Sequence, residues 1–164
     1  MDEHFMTLQK NLRITIIACL LTATGLPASA AGAANGNPAQ WTKAKPLLEA
    51  ALSCQRIDNH FQLAEQALAS AGWNSSQGTT PVALPVPLQV FGLKTQRIAI
   101  ARDSGEQTYR AFLPGVSIAQ AVKAAKLTLG KDGKEYGRMA KLGVLTAGTE
   151  DGVTTLTCIF DSEV

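Results

Sequence analysis

The chain has 164 residues, 46% of them hydrophobic and 17% charged. That is enough for one domain with its own core, and it is unlike a disordered chain or a coiled coil. A formal charge of +2 and an aromatic content of 5% do not point to nucleic acid, and they supply little for stacking on bases or sugars.

The first element is the stretch from Met6 to Ala30. Lys10 and Arg13 make a positive start, Ile14 to Leu21 are apolar with a weak extension to Leu26, Pro27 breaks the run, and Ala28-Ser29-Ala30 is a small-x-small cleavage site. These are the three parts of a secretory signal peptide. The apolar run is shorter than the roughly 20 residues that span a membrane, so the segment is expected to be removed, leaving no stable membrane span. Asp2 and Glu3 do not suit a positive n-region, which makes Met6 the expected start of translation. Cys19 follows Ile16-Ile17-Ala18, a lipobox-like run. The apolar stretch before it is short, however, and the tether left behind would be apolar. Cys19 is therefore expected to leave with the signal rather than carry a lipid anchor.

Three regions result: residues 1–30 as cleaved signal, 31–45 as a flexible lead of small and polar residues, and 46–164 as a single domain. Pro46 suits the first position of a helix running to about Cys54. Its stripe is Leu47, Leu48, Ala51 and Leu52. Asp58 or Asn59 can cap a second helix with Phe61, Ala64, Leu68 and Ala71 on one face, stopped by Gly72. Pro81, Pro85 and Pro87 bar the next stretch from a central strand. "TQRIAIA" and "EQTYRAFL" read as strands around the turn "RDSG". Ser117 and Gln120 have capping-box spacing before a helix with Ile118, Ala121, Val122 and Ala125 on its apolar face. "GKDGKEYG" holds the hairpin dipeptide Asp132-Gly133, and "RMAKLGVLTA" and "VTTLTCIF" are two more strands around "GTEDG". The expected fold class is α+β: an N-terminal helical hairpin, then a mainly antiparallel sheet built from hairpins, with one further helix inserted between strands.

With Cys19 gone, Cys54 and Cys158 remain. An exported chain meets an oxidising space, where an even count reads as a disulfide. Cys54 falls on the buried side of its helix, and Cys158 alternates with Leu156 and Phe160 on one face of a strand. Both are expected to face one core as a staple, neither being catalytic. No motif joins Cys54 to His60 as a nucleophile pair.

Other chemistries find little support. Gly115-Val116-Ser117-Ile118-Ala119 nearly matches a nucleophile elbow, but its last position is alanine and no histidine follows it. Ser117 is expected to be a helix cap. A zinc site needs four ligands, and with both cysteines bonded His60 stands alone. Asp132-Gly133 and Asp151-Gly152 lack the other carboxylates of a calcium loop, and Gly133-Lys134 is followed by Glu135 rather than the Ser or Thr of a P-loop. No cofactor is expected, and the domain is expected not to be an enzyme.

One charged run stands out. Lys123, Lys126, Lys131, Lys134, Arg138 and Lys141 are opposed within their segment only by Asp132 and Glu135. Such a run is usually a solvated face. Its functional reading is an electrostatic landing site for an acidic protein partner. A signal peptide followed by a small domain with one disulfide resembles, in plan alone, periplasmic inhibitor, immunity and envelope-accessory proteins. The expectation is thus a periplasmic or secreted, non-catalytic domain that binds another protein. The alternative is a small-ligand carrier or a small envelope enzyme.

Overall fold

A computed structural model describes residues 37–55, 61–103 and 105–161. The signal segment, Cys19, His60 and the Asp58 or Asn59 cap lie outside the described residues. The fold is α+β, with helices α1 (Pro38–Leu52), α2 (Phe61–Ser70) and α3 (Ile118–Ala125). The strands are β1 (Val82–Val90), β2 (Leu93–Asp103), β3 (Glu106–Leu113), β4 (Thr128–Leu129), β5 (Tyr136–Met139), β6 (Val144–Glu150) and β7 (Val153–Asp161). They form one antiparallel sheet in the order β1-β2-β3-β7-β6-β5-β4.

The first helix differs from the expectation. It starts at Pro38, so part of the expected flexible lead is helical and Pro46 lies inside the helix. Asn37 is the cap, its side chain accepting from the Ala39 N–H at 3.0 Å. An interior proline costs a helix about 3 kcal/mol. Here the longer helix adds Trp41 and Ala44 to the buried set of Leu48, Ala51 and Leu52, apolar surface that offsets the penalty.

All three helices end by the same device. The Gln55 N–H reaches the Ala50 carbonyl with Cys54 at φ +56, the Trp73 N–H reaches Leu68 with Gly72 at φ +92, and the Leu127 N–H reaches Val122 with Lys126 at φ +55. This six-to-one closure satisfies carbonyls that the helix leaves unpaired. Glycine adopts the left-handed conformation freely. Cys54 and Lys126 adopt it at a cost, so tertiary contacts must hold them there. The capping box of α3 forms as the spacing suggested: the Ser117 Oγ accepts from the Gln120 N–H, and the Gln120 Oε1 accepts from the Ser117 N–H.

Register decides which side chains meet. Residues directly opposite in an antiparallel pair share a face. Ile98 lies opposite Ala111, Ile100 opposite Tyr109, Ala111 opposite Leu156, and Cys158 opposite both Tyr109 and Leu145. All are buried with the helices in one core. The Phe61 ring of α2 meets Tyr109 edge-on at 5.4 Å, and Phe160 stacks on it at 5.6 Å. The other face carries Arg97, Arg110, Thr155, Thr157 and Ile159. Thr155 and Thr157 are buried there as well, because β7 is central and β3 and β6 crowd it on both sides.

β1 takes the edge, where its prolines had placed it. Pro85 and Pro87 have no N–H to offer, and the Gln89 N–H is taken by the Glu49 carboxylate of α1 at 2.7 Å. The edge is thereby closed to a further strand. The stretch "RMAKLGVLTA" is two strands rather than one. A turn interrupts it, closed by the Ala140 N–H on the Gly143 carbonyl at 2.8 Å. Gly143 passes so close to β7 that a Cβ would lie 2.2 Å from the Ile159 carbonyl oxygen. The sheet also curls. Phe91, in the β1–β2 turn, lies beside Arg138 of β5 although four strands separate β1 from β5 in the sheet order.

Candidate functional site

The expected staple is present. Cys54 and Cys158 are bonded across a separation of 104 residues with Cα atoms 5.2 Å apart, and both are buried. Two further ties converge on the same end of α1. The Leu142 N–H donates to the Cys54 carbonyl at 3.2 Å, fixing the β5–β6 turn against the helix. Arg138 lies opposite Leu145, which puts it on the helix-covered face. Its Nε donates to the Ala125 carbonyl at the end of α3 at 2.8 Å, and its guanidinium carbon is 5.7 Å from the Phe91 ring centre.

These elements border an open pocket of about 240 Å³ lined by Ser53, Cys54, Gln55, Phe91, Arg138, Ala140 and Lys141. Two of its walls are cationic and one is aromatic, and no carboxylate lines it among the described residues. The Lys141 ammonium is exposed.

The basic run does not gather into one patch. Lys131 and Lys134 sit in the loop before β5, where the Asp132 carboxylate accepts from the Lys134 N–H at 3.2 Å, while Lys141 sits in the turn after that strand. Lys123 and Lys126 are exposed around the end of α3. Arg138 and Lys141 share the pocket beside the disulfide. Lys134 belongs to a separate groove of about 440 Å³ over the outer face of the sheet, floored by Thr146, Gly148, Thr155, Thr157 and Ile159. There Arg110 is ion-paired with Glu150 and donates from Nε to the Thr157 hydroxyl at 3.2 Å.

A polar cluster beside α2 also went unread in the sequence. The buried Tyr109 hydroxyl donates to the Gln107 side chain at 3.0 Å, near the Arg102–Glu65 ion pair that links β2 to α2. Burial raises the Tyr109 phenol above its ordinary value of 10.0, and the nearby Arg102 guanidinium offsets part of the rise. The folded state thus favours the neutral phenol. As pH climbs through the unfolded value the unfolded chain loses its proton first, so the stability present below about pH 10 declines toward the higher folded value. Tyr109→Phe should remove part of this alkaline loss. Urea midpoints at pH 8 and at about pH 11 check it, and an equal drop in both proteins would contradict the assignment.

Among the described residues, no three of His, Cys, Asp or Glu come together as a ligating group, and no helix is long and apolar enough to cross a membrane. Comparison with family models, curated proteins and solved structures returns no match.

Proposed function

We propose that this is a periplasmic or secreted domain that acts without catalysis, binding another protein in the manner of an inhibitor, immunity factor or envelope accessory. The signal-like segment from Met6 to Ala30 supports export, and a buried disulfide suits an oxidising compartment. The observation that carries the binding reading is the pocket at the end of α1. It combines Arg138 and Lys141 with the Phe91 ring, a pairing of cationic and aromatic groups that suits recognition at a protein surface. A second reading, a small-ligand carrier, is favoured by the outer groove, whose volume of about 440 Å³ falls within the range of small-molecule sites.

Capture from periplasmic extract on immobilised oxidised protein separates the two. A single dominant protein, retained by wild type and reduced on Lys141→Glu, supports the protein-binding reading. A co-purifying small molecule with no specific protein would replace it with the carrier.

A further inference from the structure

We propose that the pocket between the end of α1 and the β5–β6 turn receives one carboxylate side chain from an acidic segment of a protein partner. The proposal rests on the protein-binding reading above and names the chemistry of its contact.

The geometry selects the ligand class in three steps. First, charge. Lys141 has no ion-pair partner among the described residues. The Arg138 guanidinium spends Nε on the Ala125 carbonyl and has Nη1 at 3.5 Å from the Met139 carbonyl, a distance at the outer limit of a hydrogen bond. Nη2 has no described partner. The site offers two cations and no described carboxylate to neutralise them.

Second, shape. The guanidinium is tied to the Ala125 carbonyl and lies beside Phe91, so its remaining N–H groups are oriented planar donors of the kind that match a carboxylate. A lysine alone would select only for charge. The Ser53 and Gln55 side chains add polar groups to the wall.

Third, size. At about 240 Å³ the pocket is smaller than the roughly 300–1,000 Å³ of sites that enclose a whole small molecule. It fits the end of one side chain whose remainder stays outside, and Phe91 supplies an apolar wall for the methylenes of a glutamate.

The walls of this pocket are tied to the sheet at two points. Cys54 is fixed through Cys158 to the central strand, and Leu142 is hydrogen-bonded back to Cys54. A preformed site loses little freedom on binding.

The test needs no partner. The oxidised protein is titrated with N-acetyl-glutamate N-methylamide, with the neutral glutamine analogue and with inorganic phosphate, reading backbone amide shifts by NMR. The glutamate compound should give weak, saturable shifts at Gln55, Lys141 and Leu142, and the glutamine analogue should give none there. Lys141→Ala, a change at an exposed side chain, should weaken the response by roughly threefold to tenfold without altering the rest of the spectrum. Arg138→Lys keeps the charge and removes the planar edge, so it should weaken the response as well.

Equal responses to glutamate and glutamine would overturn the proposal. So would shifts confined to Lys131 and Lys134, or tighter saturation by phosphate than by the glutamate compound. A saturable glutamate response without any captured protein would place the fault in the protein-binding reading. Captured protein without a response at these amides would remove this pocket instead.

Discussion

Gly143→Ala is expected to destabilise the domain by about 3 kcal/mol or more, above the common range for overpacking. An ideal Cβ at this position would sit 2.2 Å from the Ile159 carbonyl oxygen, 2.6 Å from the Phe160 Cβ and 2.9 Å from the Phe160 Cα. Most of that obstruction is the backbone of the central strand, which cannot swing aside as a surface side chain can. Either β7 shifts, disturbing Cys158 and its neighbours, or the β5–β6 turn lifts away and loses the Leu142 bond to Cys54. Gly148→Ala is the matched control on the same strand pair, since its Cβ would meet only the Thr155 Oγ1 at 3.7 Å. Urea denaturation should show a large drop in midpoint for the first variant and a small change for the second. Equal midpoints for Gly143→Ala and wild type would show that this close approach is not a feature of the folded protein.

The second large effect is expected from the disulfide. Bonding residues 104 apart restricts the unfolded chain, and for a loop of about 100 residues the chain-entropy account assigns up to ~4.7 kcal/mol, with roughly 2–5 kcal/mol typical when a native bond is removed from a small secreted domain. Cys54 also holds a left-handed backbone at φ +56, and the bond to Cys158 helps to keep it there. Cys54→Ala combined with Cys158→Ala should therefore lower the urea midpoint substantially, and reductant should have the same effect on wild type but none on the double variant. A double variant as stable as the oxidised wild type would contradict this account of the α1 end.

What the sequence reveals follows from how local each signal is. The capping box at Ser117 and Gln120, the stop at Gly72 and the hairpin dipeptide Asp151-Gly152 are short-range patterns, and each appears where its residues indicate. The pairing of Cys54 with Cys158 was legible through the cysteine count and the signal-like segment before it. The start of α1 was not. Pro46 suits a first helical position locally, but the helix begins at Pro38 and buries Trp41 in the core, a tertiary fact. The break in "RMAKLGVLTA" was hidden for a similar reason. Ala140 to Gly143 contains no common hairpin dipeptide, and Gly143 is required by β7, which approaches it from far along the chain.

The candidate site was legible only in part. The run from Lys123 to Lys141 is visible as composition, but its division follows from register. Arg138 stands opposite Leu145 and therefore turns toward the helices, whereas the loop carrying Lys131 and Lys134 lies beyond the other end of the strand. Phe91 carries no sequence signal for a pocket, because it reaches Arg138 only when the sheet curls. One physical consequence is that the six cations should not act as a unit.

Binding rates separate Lys141 from the loop lysines. A protein captured from periplasmic extract as proposed above is passed over wild type, Lys141→Glu, and the pair Lys131→Glu with Lys134→Glu, and association and dissociation rates are recorded at low and high salt. Exposed charges act mainly on encounter, and a charge that contacts the partner also affects dissociation. Lys141→Glu should slow association, flatten its salt dependence and speed dissociation, while the loop pair should leave dissociation unchanged. Wild-type rates for Lys141→Glu at low salt would contradict this expectation.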